Sequence, residues 1–179
     1  MPAGTGTRYP MKSDDGQDAN FDALYKKFCP GLIRYLKWKL QHNCSLAEDI
    51  AHEAFLILVR KWTEVRNHPN PNPRAWLYTV ARNLMYDTLE RRSRELLPGE
   101  LPDQAGAWGD PSDPSDSYNM RLAVWEAIGK LPPRQREAVW LFYFERFKQN
   151  EIAAIMQVQR GTVGALLSQA RDRLAELAA

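Results

Sequence analysis

The chain has 179 residues, 44% of them hydrophobic and 26% charged, which suits a soluble globular protein of one ordinary domain or two small ones. No long unbroken apolar run occurs, so membrane insertion is not expected. The net charge of +2 conceals an asymmetry: residues 20–92 hold twelve Lys and Arg against seven Asp and Glu, residues 119–179 nine against six, and residues 93–118 one against six. Two mildly basic modules on an acidic tether suit a nucleic-acid partner.

Residues 1–19 mix Gly, Thr, Lys and Asp without an apolar stretch, which predicts a disordered, non-secretory start and a cytoplasmic protein. Cys29 and Cys44 are too few for a disulfide framework and read as small hydrophobes on helices. His42 and Cys44 lack a second Cys/His pair, and His52-Glu53 lacks the second histidine of a zinc-protease helix, Leu56 standing in its place. No metal, no cofactor and no enzymatic activity are therefore expected.

Strand signals are absent and helical periodicity recurs. Phe21, Leu24, Tyr25, Phe28, Leu32 and Leu36 step at helical spacing, with Pro30 expected to kink or divide the stretch. Ser45-Leu46-Ala47-Glu48 reads as a capping box opening a helix that buries Ile50, Ala54, Phe55, Leu58, Val59 and Trp62. Asp49 and Glu53 share one face of it, either as a binding pair for a basic surface or as an ordinary solvated face. Residues 67–72 read as a loop, after which Asn72-Pro73 supplies a cap and a first-turn proline for a helix to about Arg92. On that helix Arg74, Tyr78 and Arg82 recur every four residues, and Tyr86, Arg91 and Arg92 extend the track. Arginine binds phosphate and an aromatic ring stacks on an unpaired base. Trp76, Leu77, Val80 and Leu84 are expected in the core.

Residues 95–117 are rich in Pro, Gly, Ser and Asp and carry no basic residue, which predicts a flexible linker. Helices resume around Tyr118–Lys130, and Pro133 starts another, expected to run to about Phe147. Gln149–Ser168 has the spacing of a helix-turn-helix, with apolar Ile152, Met156, Val158, Val163 and Leu166 and small Ala153 at the close approach. The turn is expected near Val158–Arg160 and the second helix over Gly161–Leu174. A plain helical hairpin would satisfy the same apolar spacing. Gly164 and Ala165 offer no side-chain hydrogen bonds, so base readout would fall to Arg160, Thr162, Ser168, Gln169 and Arg171. The reading is all-α: residues 1–19 disordered, a helical domain over 20–94, a flexible acidic linker over 95–117, and a helix-turn-helix domain over 118–179.

Three stretches in order resemble one family. Ala47-Glu48-Asp49-Ile50-Ala51-His52-Glu53-Ala54-Phe55 resembles sigma region 2.2. Pro73-Arg74-Ala75-Trp76-Leu77-Tyr78-Thr79-Val80-Ala81-Arg82-Asn83-Leu84 resembles the region 2.3–2.4 helix, and Leu131-Pro132-Pro133-Arg134-Gln135-Arg136-Glu137 with the following helix-turn-helix resembles region 4. Their order and spacing are similar to those of the extracytoplasmic-function (ECF, group 4, sigma-70 family) RNA polymerase sigma factors. The resemblance implies a factor that binds core RNA polymerase and directs promoter-specific initiation. Asp49, His52 and Glu53 would meet the β′ clamp, with His52 standing where Gln is usual. Arg74, Tyr78, Arg82, Asn83, Tyr86, Arg91 and Arg92 would read and open the −10 element, with Asn83 on the melted strand. Residues 65–73 would form the base-capturing loop, and Arg160, Thr162, Ser168, Gln169 and Arg171 would meet the −35 element. The family further implies a β-flap contact, a tether in the RNA exit path and, commonly, an anti-sigma factor. The alternative is a degenerate sigma-like protein or a stand-alone helix-turn-helix regulator.

Overall fold

The computed structural model describes residues 21–41, 43–69, 71–95 and 124–178, and every regular element among them is a helix. The expected disordered start and the expected linker after Glu95 lie outside the described residues.

Helix α1 spans Phe21–Lys39 without interruption, so of the two outcomes expected at Pro30, a kink or a division, the division does not occur. Pro30 and Lys26, whose carbonyl loses an N–H partner to the proline, are both on the exposed side, where water can serve that carbonyl. Helix α2 spans Cys44–Arg60 and is capped by Asn43, whose Oδ1 accepts from the Leu46 amide at 3.1 Å. The expected Ser45 capping box is thus displaced: an equally good cap stands two residues earlier, and Glu48 pairs instead with Lys37 at 2.9 Å. The helix breaks at Lys61, so Trp62 opens a short helix α3, Trp62–Arg66, instead of continuing α2, and packs edge-on against Phe21. Helix α4 spans Pro73–Glu95 and starts as predicted, with Asn72 Oδ1 accepting from the Ala75 amide at 3.0 Å. Leu32, Tyr35 and Leu36 of α1, Leu58 of α2, and Leu77, Tyr78 and Met85 of α4 are almost wholly buried. Removing such a side chain from water contributes about 1.5–3 kcal/mol apiece.

The second half begins with helical residues 124–129, here α5. Its end is tied off by the Arg136 guanidinium, which donates to the carbonyls of Gly129 and Leu131. Helix α6 spans Pro133–Val139, with Pro133 in the first turn, and runs directly into a π-helical turn over Trp140–Phe144. The helix expected to reach Phe147 therefore stops at Phe144. Arg146 takes a left-handed φ of 57°, and buried Phe147 closes the connection by donating from its amide to Leu141 O at 3.0 Å.

Helix α7 spans Gln149–Met156 and α8 spans Arg160–Ala178, so the second helix begins one residue before the expected Gly161 and runs past Leu174. At the start of α7, Glu151 accepts from the Lys148 amide at 2.7 Å. Gln157 ends α7 in the left-handed conformation, φ 55°, that glycine ordinarily supplies. Ile152, Ala153, Met156 and Val163 are buried as predicted, but Leu167 and Ala170 fill the core where Leu166 was expected, leaving Leu166 at its edge. Helices α1, α2 and α4 form one packed group and α6, α7 and α8 another, and α7 lies along α4.

Candidate nucleic-acid interface

Asp49, His52 and Glu53 are all exposed, one turn apart on the same side of α2. Leu56, one turn further along, is 56% exposed, an apolar surface residue that the sequence reading passed over as a missing metal ligand. The Tyr25 hydroxyl lies 2.6 Å from His52 Nε2 and the two rings are nearly parallel, which fixes the imidazole on this acidic face.

The α4 stripe is continuous, with the Arg74 guanidinium over the Tyr78 ring and the Arg82 guanidinium 4.7 Å from the centre of the Tyr86 ring. Arg91 and Arg92 are exposed near its C-terminal end. The stripe is not open to solvent along its length. Tyr78 is 0% exposed and donates to Glu145 Oε2 at 2.7 Å, while Arg74 donates to the same oxygen at 2.8 Å. Arg34 of α1 holds the other oxygen of Glu145 at 2.9 Å. Four residues along, Arg82 donates to Glu137 Oε1 at 2.9 Å; buried Tyr35 reaches that oxygen at 2.7 Å, and Lys39 approaches Oε2 at 3.1 Å. Asn83 is exposed, its Oδ1 accepting from Gln157 Nε2 at 2.9 Å. In the 65–73 segment, Val65 belongs to α3, and Asn72 donates to Glu151 at 2.6 Å.

Glu137 and Glu145 are each 2% exposed. Eight residues apart on a regular α-helix, they would diverge by about 80°. The π turn between them winds less per residue, which lets both carboxylates face α1 and α4. Aromatic contacts surround them: Trp38 stacks on Trp140 at 4.6 Å and 13°, and Phe147 meets Tyr78 edge-on beneath the Arg74 guanidinium. Gly31 permits the approach, because a β-carbon there would stand 3.0 Å from both Glu145 Oε2 and the Tyr78 hydroxyl.

Burial pushes the Glu137 carboxyl up, but Lys39, Arg82 and the hydrogen bonds from Arg82 and Tyr35 outweigh it and hold it below the ordinary carboxylate range. Burial, then the facing carboxylates, raise Tyr35 and Tyr78 well above the usual phenol range, so both remain hydrogen-bond donors. The sequence reading missed Arg34, Tyr35, Lys39, Glu137 and Glu145. Its available signal was two acids flanking the apolar run Ala138–Phe144, which a solvated helix face would not place there.

On α8, Arg160, Thr162, Ser168, Gln169 and Arg171 are all exposed, whereas Val163, Leu167 and Ala170 are buried. Gln169 Oε1 accepts from Gln135 at 3.0 Å, and Arg171 Nε leans back on the Leu167 carbonyl at 3.3 Å. Gly161 and Ala165 are exposed between them and Gly164 partly so, leaving the middle of this face without polar side chains.

Among the described residues, no group of His, Cys, Asp and Glu could hold a metal ion, and no helix is long and apolar enough to cross a membrane. Residues 24–95 match the family described as Sigma-70 region 2, and residues 121–174 match Sigma-70, region 4. The ECF RNA polymerase sigma factor SigE of Mycolicibacterium smegmatis is 30% identical over 178 residues, taking in 97% of this chain; the chain spans 66% of that longer protein. The ECF RNA polymerase sigma factor SigL of Mycobacterium tuberculosis is 33% identical over 155 residues, 83% of this chain and 82% of the relative. Among solved structures, the sigma factor RpoE in complex with the anti-sigma factor NepR from Bartonella quintana superposes with a TM-score of 0.68 at 26% identity, covering 88% of this chain and 96% of that one. Two region matches in order, and a relative 33% identical over most of both chains, agree with the helices of the described residues: the chain belongs to the ECF RNA polymerase sigma factors of the sigma-70 family.

Proposed function

We propose that this sigma factor docks on core RNA polymerase through Asp49, His52, Glu53 and Leu56 of α2, and opens the −10 element with the Arg74–Tyr86 stripe of α4. The exposed face of α8, through Arg160, Thr162, Ser168, Gln169 and Arg171, meets the −35 element. The observation that carries this reading is the α4 stripe, in which guanidinium groups and phenol rings alternate along one helix face. Released from Glu137 and Glu145, such a face would offer phosphate contacts and stacking surfaces together, the combination that single-stranded DNA requires. Asn83 and Tyr86 lie at its exposed end, where an unpaired base is within reach. The α2 face combines carboxylates with one exposed leucine, which suits a protein surface carrying both charge and an apolar spot.

Polymerase performs the chemistry, and the chain contributes only binding, in the cytoplasm. The related RpoE is held by an anti-sigma factor, and a protein of that class is the partner expected to restrain this chain.

Run-off transcription with purified core polymerase and genomic fragments tests the reading, with specific initiation expected. The pair Asp49→Lys with Glu53→Lys abolishes core binding while leaving the circular dichroism spectrum unchanged. Normal core affinity in that variant would remove the α2 assignment. Asn83→Ala lowers promoter opening, read by permanganate reactivity of unpaired thymines, more than initial binding; equal loss of both would make Asn83 merely structural.

A further inference from the structure

Glu137 and Glu145 sit in two pockets of the same chemistry, each built from two cations and one buried tyrosine hydroxyl. Arg34, Arg74 and Tyr78 enclose Glu145; Lys39, Arg82 and Tyr35 enclose Glu137. A phosphodiester presents what a carboxylate presents, two acceptor oxygens sharing one negative charge, and such donors bind either. Beside these pockets, Trp140 lies flat on Trp38 at 4.6 Å, as a base would on an aromatic platform. Region 4 thus offers region 2 an anion–ring–anion pattern across the face assigned to DNA.

We propose that the two pockets are backbone-phosphate sites for single-stranded promoter DNA, and that Glu137 and Glu145 fill them in the closed chain as an internal competitor. Arg34, Tyr35 and Lys39 of α1 then belong to the DNA track alongside α4. Region 4 must leave region 2 before that strand can enter. The inference rests on the assignment of the α4 stripe to DNA made above.

The test uses the full chain. Spin labels on exposed Cys44 and on a cysteine introduced by Glu176→Cys report the distance between the two halves. Anisotropy of a fluorescein-tagged, mixed-sequence single strand reports binding. Glu137→Gln combined with Glu145→Gln should lengthen and broaden the distance distribution and tighten DNA binding by about tenfold or more, because a closed majority depresses apparent affinity. The control Glu64→Gln with Asp172→Asn removes the same charge from exposed positions and should change affinity little. Arg34→Glu, at a side chain 59% exposed, provides a second route to opening that leaves both carboxylates in place; it is read by distance alone, because it also removes one of the pocket cations.

An unchanged distance in both opening variants overturns the competitor. Opening of the Glu137→Gln, Glu145→Gln chain with no more gain in affinity than the control overturns the phosphate sites. Run-off transcription separates the two layers. Initiation that persists while distance and affinity stay fixed removes only this inference, whereas no initiation by wild type or open variants removes the proposed function beneath it.

Discussion

Glu137→Ala offers the sharpest energetic test of how the two halves are joined. The substitution leaves Lys39 and Arg82, each 14% exposed, facing one another without a counter-charge, and strands the Tyr35 hydroxyl at 0% exposure. Deleting one partner of a buried pair costs about 3–5 kcal/mol, and an orphaned buried hydroxyl about 1–3 kcal/mol. The two overlap because Tyr35 donates to the same carboxylate, which puts the local loss at about 4 kcal/mol. That loss has a ceiling. Once it exceeds the docking free energy, the halves part, the cations regain water, and no further stability is lost.

Urea unfolding, followed in parallel by far-ultraviolet circular dichroism and by tryptophan emission, separates these regimes. The Trp38–Trp140 stack spans the two halves, so emission reports docking while circular dichroism reports helices. In the wild type the two transitions should coincide. In Glu137→Ala emission should change first, at clearly lower urea, with the helical transition shifted less. Coincident transitions displaced by under about 1 kcal/mol, the range of an exposed pair, would refute the argument that Glu137 anchors the interface.

Further outcomes are equally direct. Gly31→Ala places a β-carbon 3.0 Å from Glu145 Oε2 and the Tyr78 hydroxyl, and should cost about 1–3 kcal/mol; a melting temperature equal to wild type would show that the pocket yields freely. Glu137 is held below the ordinary carboxylate range, so its stabilisation is complete above the unfolded glutamate value and fades as pH falls through the lower folded value. Acid titration of tryptophan emission should show the halves separating on that limb, and Glu137→Gln should flatten it. Burial pushes the Cys29 thiol up to about 11, whereas Cys44 is exposed. A disulfide reagent at pH 8 should therefore titrate one thiol quickly and one slowly, and two equally fast thiols would contradict the packing of α1.

The helices were legible because each rests on a local signal. Asn72-Pro73 set the start of α4, Pro133 the start of α6, and the apolar spacing of Ile152, Met156 and Val163 the hairpin core. Boundaries slipped where two local solutions competed: Asn43 against Ser45 for the α2 cap, and Lys61 interrupting a periodicity that ran on to Trp62. Pro30 does not divide α1 because the carbonyl it frees lies on the exposed side, where water can serve it, and sequence does not show exposure. The α4 stripe was visible as a spacing of four. Its occupants were not, because Glu137 lies 55 residues from Arg82 and Glu145 lies 71 from Arg74. Pairing across such separations leaves no periodic trace, and the π turn that aligns the two acids has no simple sequence signature.

The choice of carboxylates at this interface has a physical consequence of its own. An interface held by apolar residues alone would gain stability in proportion to the area it removes from water. Here much of the Coulombic gain of Glu137 and Glu145 is offset by the desolvation of their charges and of the cations around them. What remains is orientation, since donors from two helices surround each carboxylate and hold it from several directions. The net attraction is left to contacts such as the Trp38–Trp140 stack, the Tyr78–Phe147 contact and the packing of α7 along α4. Such a joint is specific in geometry and modest in depth. A ligand that presents anions to the same donors and rings to the same platforms can displace it without supplying the energy of unfolding, and the polyanionic strand that α4 is proposed to read has that chemistry.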